Sequence, residues 1–106
     1  MGKMIRDKVV GYIEKDNKTP ITSKVEGVEY AIALWAKLRE EYNELEEAIT
    51  KQMGREDILE EIADVITVLE AISRNVFNAN IASVIELKLD KCGGFEEGII
   101  LDRVQR

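Results

Sequence analysis

The apolar periodicity of the central part of this chain constrains its fold more than any other feature. Apolar side chains recur there at alternating spacings of three and four residues, which places them on one face of an α-helix. The pattern predicts two long helices, from about Glu26 to Gln52 and from about Arg55 to Asn75. The two apolar stripes are Val28, Ala31, Trp35, Leu38, Tyr42, Leu45 and Ile49 on the first, and Ile58, Ile62, Val65 or Ile66, Leu69 and Ile72 on the second. We therefore expect an all-α fold in which both stripes face the core.

Two shorter helices are predicted to flank this pair. Asp7 is placed to cap the first, and Asn78 or Asn80 to cap the last, which Gly93 and Gly94 would end. Gly54 is the expected stop of the first long helix. The apolar run Ile99, Ile100 and Leu101 of the tail is expected to pack on the helices or on a second subunit. The prediction is a single domain over residues 1–106, a bundle of about four helices.

Length and composition limit the kinds of partner that the chain is expected to bind. A chain of 106 residues leaves much apolar surface uncovered, so wide apolar stripes favour self-association. The formal net charge of -6 argues against nucleic acid or an anionic membrane, since either calls for a basic surface. A lone cysteine, Cys92, fits a reducing compartment. There is no apolar run of the roughly 18 residues that a membrane span needs, and no signal peptide is visible, so the expected location is the cytoplasm.

The chain contains no histidine, which removes several kinds of active site. Ser-His and Cys-His catalytic sites, the usual zinc sites and the Glu-x-x-His ligands of di-iron bundles all require that residue. Cys92 also lacks the histidine that would activate it as a nucleophile. Any chemistry must therefore come from carboxylates, cations and backbone groups.

Two acidic pairs lie on the two long helices with the same spacing. They are Glu41 with Glu44, and Glu61 with Asp64. Because an α-helix turns by about 100° per residue, the first acid of each pair lies about 100°, and the second about 160°, to the same side of its stripe. If the helices pack side by side, these four carboxylates converge.

Converging carboxylates suit a hard divalent cation. Oxygen ligands without histidine or cysteine select Mg²⁺ or Mn²⁺ over zinc or copper, and Mg²⁺ shares its coordination shell readily with phosphate oxygens. The alternative is a solvated acidic helix face, because 21 of the 106 residues are Asp or Glu and such spacings arise often. Spacing alone leaves both interpretations open.

Three segments in order resemble the MazG-like and phosphoribosyl-ATP pyrophosphohydrolase-like superfamily of all-α nucleoside triphosphate pyrophosphohydrolases. The acidic segment reads Glu40-Glu41-x-x-Glu44 followed by Glu61-x-x-Asp64. Residues 4–8, Met-Ile-Arg-Asp-Lys, resemble the opening of a small-protein branch, and Lys88-x-x-Lys91-x-Gly93-Gly94-Phe95 resembles its closing segment. Val10 departs from that branch, where a proline is expected nearby.

This resemblance implies a Mg²⁺-dependent enzyme, with Mn²⁺ as an alternative ion, that cleaves a nucleoside triphosphate between its α and β phosphates. It implies metal ligation by Glu41, Glu44, Glu61 and Asp64. It further implies Glu40, or another carboxylate in its place, as the group that orients or deprotonates water. Lys88 and Lys91 are implied as phosphate contacts, with their complementing the negative end of the last helix as the alternative, and Arg6 and Lys8 are weaker candidates for phosphate. Members of the superfamily are usually dimers or dimers of dimers, so a homodimer or homotetramer is expected.

Two other functions remain compatible with the residues. One is a non-catalytic helical assembly module whose acidic face serves solubility. The other is a degenerate member of the superfamily that binds nucleotide without hydrolysing it. Trp35 lies on the apolar stripe and is expected in the core, with a platform for base stacking as the alternative, and Tyr42 is likewise expected in the core.

Overall fold

A computed structural model describes residues 2–106, which form four α-helices and no strand. The helices are α1 (Val9–Lys15), α2 (Gly27–Thr50), α3 (Arg55–Ala71) and α4 (Ile81–Cys92), and a π-helical turn (Ile72–Val76) continues α3. The prediction of an all-α fold is confirmed. Within the described chain, none of the helices is both long and apolar enough to cross a bilayer.

The helix ends follow local capping chemistry. The side chain of Asn80 caps α4 by accepting a hydrogen bond from the backbone N–H of Ala82 at 3.1 Å, and Gly93 ends α4 in a positive-φ conformation, as predicted. The predicted cap at Asp7 is wrong, because α1 begins at Val9 with Lys8 at its N-cap and no side-chain cap. Residues 16–26 form no regular structure.

The turn between α2 and α3 is short and tightly bonded. The N–H of Met53 donates to the carbonyl of Ala48, and the N–H of Gln52 donates to that of Ile49, which together form a Schellman motif. Gln52 has a positive φ, so it takes the left-handed position that glycine usually occupies. Gly54 instead forms the N-cap of α3. The predicted stop at Gly54 was therefore wrong by a few residues.

Helices α2 and α3 form an antiparallel hairpin that contains most of the tertiary packing. Residues 51–54 join the two helices at one end. At the other end the side-chain amide of Asn75 donates a 2.8 Å hydrogen bond to the hydroxyl of Tyr30. The middle of the hairpin therefore sets the central turns of the two helices opposite each other, where both acidic pairs lie.

The face of α2 that meets α3 differs from the predicted one. Leu34 and Ala48 are buried against α3, where Val68 is buried in turn, whereas Trp35 and Tyr42 keep more than half of their surface exposed. The prediction that Trp35 and Tyr42 lie in the core is thus wrong for the single chain. The physical reason is that α2 is apolar over a wide arc and one neighbouring helix covers only one side of it. The contact face is displaced by about one residue, or about 100°.

The remainder of the chain extends away from the hairpin. The radius of gyration is 18.1 Å, against about 13 Å for a compact domain of this length. Helix α4 packs little against the other helices, and Ile99, Ile100 and Leu101 of the tail are exposed by more than three quarters. The tail does not pack back on the hairpin, so that predicted position is wrong.

Candidate metal centre

Three of the four predicted metal ligands converge at the middle of the hairpin. Glu41 of α2 and Glu61 and Asp64 of α3 each offer a carboxylate oxygen, and these oxygens lie within 4.8 Å of one another. Glu44, the fourth predicted ligand, is exposed and falls outside this set. We call Glu41, Glu61 and Asp64 the acidic cluster.

Two oxygens of the acidic cluster are buried without a hydrogen-bond partner. They are Oε2 of Glu41 and Oε2 of Glu61. The side chain of Glu41 is only 8% exposed, so water reaches it poorly. An unsatisfied buried polar group costs about 1–3 kcal/mol, and more when the group is charged. Solvated acids on a helix face have no such orphaned oxygens, and this distinguishes the cluster from the other acidic side chains of the two helices.

Burial and neighbouring carboxylates raise the pKa of two glutamates at this site. Loss of solvation, followed by the charges of Asp64, Glu41 and Glu60, raises the pKa of Glu61 above its ordinary value. Loss of solvation and the charges of Glu41 and Glu61 raise the pKa of Glu44 in the same way. Glu44 therefore lies within hydrogen-bonding reach of Glu41 and Glu61, at the edge of the acidic cluster. Mutual repulsion of this kind is what a bound cation would relieve.

Lys37 is a cation of this site that the sequence analysis missed. Its Nζ lies 3.0 Å from Oε1 of Glu41 and 3.5 Å from Oε1 of Glu40, and its side chain is only 14% exposed. Burial acts to lower the pKa of Lys37, but the two glutamates outweigh that effect and raise it. The sequence did contain a signal for this ion pair. Lys37 precedes Glu41 by about one helical turn, so the two side chains lie on the same face of the helix.

Glu40 lies at the edge of the cluster between two lysines. Its Oε1 accepts hydrogen bonds from Lys3 at 3.2 Å and from Lys37 at 3.5 Å. Burial acts to raise the pKa of Glu40, but the two lysines together lower it. A carboxylate held in this way is a weaker proton acceptor, so its expected role toward water requires these pairs to rearrange.

Arg6 reaches the cluster and the other predicted phosphate contacts do not. The Nη2 atom of Arg6 donates to Oδ1 of Asp64 at 2.5 Å, across 58 residues of sequence. Lys8 is exposed at the N-cap of α1. Lys88 and Lys91 are exposed on α4, and no ion pair within residues 2–106 joins either to an acidic side chain.

The acidic cluster fits a hard divalent ion in donor type and approximate size. In an octahedral shell with metal–oxygen distances of about 2.1 Å, neighbouring oxygens are about 3.0 Å apart and opposite oxygens about 4.2 Å apart. The oxygens of the cluster, within 4.8 Å of one another, reach this geometry with side-chain movements of about 1 Å. The two unpartnered oxygens supply the acceptors, so the residues present fit Mg²⁺ or Mn²⁺.

Comparison of the chain with protein-family models, with curated proteins and with solved structures found no match. The resemblance to the pyrophosphohydrolase superfamily therefore depends on the three sequence segments alone. The geometry of the acidic cluster is independent of that resemblance.

Proposed function

We propose that the protein is a Mg²⁺-dependent nucleoside triphosphate pyrophosphohydrolase that releases a nucleoside monophosphate and pyrophosphate. One observation carries the proposal: Glu41, Glu61 and Asp64 converge from two helices, and Glu41 and Glu61 each have a buried oxygen without a hydrogen-bond partner among residues 2–106. The second support is the order of the three family-like segments. An acidic surface without a cation would repel a triphosphate, so the metal site and the substrate class belong to one hypothesis.

Each residue of the site has a proposed role. Glu41, Glu61 and Asp64 hold Mg²⁺, and Glu44 joins them through a rotation of its exposed side chain. When bound, Mg²⁺ neutralises phosphate charge and lowers the pKa of a bound water. Lys37 fixes one oxygen of Glu41 so that the other points into the cluster. Glu40 accepts a proton from the attacking water after its lysine pairs have opened.

We further propose that the site is completed in a homodimer or homotetramer. The apolar side chains of α2 that α3 leaves uncovered, including Val28, Trp35, Tyr42 and Ile49, are each more than half exposed. We assign the phosphate contacts of Lys88 and Lys91 to this assembly, because α4 packs little against the hairpin of its own chain. The same exposed surface favours the competing hypothesis of a non-catalytic assembly module.

The test is a triphosphate screen with pyrophosphate release as the readout. The panel contains canonical and modified nucleoside triphosphates, each assayed with Mg²⁺ and with EDTA. We expect release from at least one substrate, lost in EDTA and in the variants Glu41→Gln and Asp64→Asn. Glu47→Gln is the matched control, because Glu47 lies on the same helix but is exposed and pairs only with Lys51.

Different results separate the three hypotheses. Mg²⁺-dependent nucleotide binding without pyrophosphate would indicate a degenerate family member. Absence of both release and metal binding would leave the assembly module. Equal activity of Glu41→Gln and Glu47→Gln would show that catalysis occurs elsewhere.

A further inference from the structure

The segment before α1 contacts both helices of the hairpin at the acidic cluster. Residues 2–8, which we call the N-terminal arm, have no helix of their own. Lys3 donates to Glu40 on α2 at 3.2 Å, and Arg6 donates to Asp64 on α3 at 2.5 Å. Between these two cations, Met4 and Ile5 are partly buried. The N-terminal arm therefore crosses from α2 to α3 over the cluster.

The local charges explain what holds the arm in place. Four carboxylates, those of Glu40, Glu41, Glu61 and Asp64, lie beside the three cationic side chains of Lys3, Arg6 and Lys37. Lys37 is fixed by its own helix and is only 14% exposed, whereas Lys3 and Arg6 are 68% and 53% exposed. The arm cations therefore supply the exchangeable part of the compensating charge.

A divalent ion and the arm compete for Asp64, and Lys3 on Glu40 competes with the ion for the negative charge of the same site. Asp64 is a member of the acidic cluster and is also the partner of Arg6. A bound ion adds two positive charges to the cluster, after which the attraction for Arg6 and Lys3 largely disappears. We infer that the N-terminal arm is a cationic strap over the acidic cluster, which the divalent ion must displace in order to bind.

Once displaced, the N-terminal arm can bind phosphate at the same site. A guanidinium released from Asp64 has the planar donor geometry that phosphate oxygens accept in pairs. Arg6 and Lys3 would then lie at the mouth of a metal site whose substrate carries phosphate. The strap thereby couples metal entry to the exposure of phosphate-binding cations, an inference that rests on the proposed function.

The first test measures Mn²⁺ affinity by isothermal titration calorimetry for the wild type and for the double variant Lys3→Met/Arg6→Met. Because each exposed ion pair contributes about 0.2–1 kcal/mol, we expect the double variant to bind Mn²⁺ about 3–10-fold more tightly. Arg55→Met is the matched control, since Arg55 pairs with Glu56 at 2.8 Å in an exposed position outside the cluster. The affinity of Arg55→Met for Mn²⁺ should change less than 2-fold. This variant controls for the general effect of removing a positive charge.

The second test follows the arm itself by limited trypsin digestion of the wild type. Cleavage after Lys3 should accelerate several-fold on addition of Mn²⁺, while cleavage after Arg103 in the exposed tail stays constant as an internal reference. Unchanged or weaker Mn²⁺ binding by the double variant, with a wild type that binds, would overturn the strap and leave the metal site intact. Absence of Mn²⁺ binding by wild type and variants alike would overturn both.

Discussion

Replacement of Lys37 by methionine should strongly destabilise the metal-free protein. The Nζ atom of Lys37 lies 3.0 Å from Oε1 of Glu41, which corresponds to a Coulomb attraction of about 5 kcal/mol at an effective dielectric constant of about 20. Loss of one partner from a buried ion pair costs about 3–5 kcal/mol because the remaining charge is uncompensated. Because the Lys37 side chain is still 14% exposed, we expect a smaller loss in the free energy of unfolding, of about 2–3 kcal/mol.

The assay is thermal and urea unfolding in EDTA and in Mg²⁺. A loss of 1 kcal/mol lowers Tm by about 4–8 °C in a domain of this size, so the Lys37→Met change is readily measured. Mg²⁺ should restore at least half of the loss, because the ion takes over the compensation of Glu41. In the double variant Lys37→Met/Glu41→Gln the unpaired charge is gone, and stability in EDTA should return close to that of the wild type.

Lys51→Met is the matched control for this experiment. Lys51 and Glu47 form an ion pair with the same four-residue separation near the end of α2, but both side chains are about 60% exposed. The Lys51→Met change should lower the free energy of unfolding by less than about 0.5 kcal/mol and should not alter the response to Mg²⁺. Equal losses for Lys37→Met and Lys51→Met, with equal Mg²⁺ responses, would refute the assignment of Lys37 as the buried counter-ion of the site.

Three further predictions concern packing, pH and assembly. Val68→Ala should cost about 1–2 kcal/mol in urea unfolding from the two methyl groups removed, whereas Val104→Ala in the exposed tail should cost nothing measurable. The pKa of Glu61 is raised in the folded protein. Glu61 therefore stabilises the fold at pH values below its ordinary pKa, near 4.5, and this stabilisation is lost as the pH rises through the pKa of the folded state. Urea unfolding in EDTA should thus show a fall in stability from pH 4.5 upward that is smaller in Glu61→Gln; an equal fall in both proteins would contradict the raised pKa. Trp35→Glu, which places a charge on the uncovered face of α2, should shift the protein to a smaller species in light scattering, and an unchanged mass would exclude that face from the interface.

The sequence predicted the helices well because their signals are local. Apolar spacing, the cap at Asn80 and the stop at Gly93 depend on neighbours within one or two turns. The pairing of α2 with α3 was only a condition of the sequence argument, and the structure shows the two helices packed together across a four-residue connection. The orientation of α2 about its own axis did not follow, because its apolar arc is wider than the surface that one helix can cover.

The sequence predicted part of the acidic cluster, because the spacing of the acids along each helix is also a local signal. Glu41 and Glu61 have equal offsets from their stripes, so both lie on the same side of the hairpin, and their oxygens meet at its middle. The rotation of α2 moved Glu41 into the contact face and left Glu44 exposed at its edge. The Arg6 contact with Asp64 spans 58 residues, and no local pattern in the sequence specifies such a pair.

The most direct test of this account is the response of folding stability to Mg²⁺ in the wild type and in the triple variant Glu41→Gln/Glu61→Gln/Asp64→Asn. We expect Mg²⁺ to raise the Tm of the wild type, with a shift that grows with the logarithm of the Mg²⁺ concentration above Kd. In EDTA the triple variant should differ little in stability from the wild type, because relief of the repulsion among the three acids is offset by the loss of the partners of Lys37 and Arg6. It should not respond to Mg²⁺. A wild type that is indifferent to Mg²⁺ and Mn²⁺, or a triple variant that responds as the wild type does, would contradict the assignment of these residues as a metal centre.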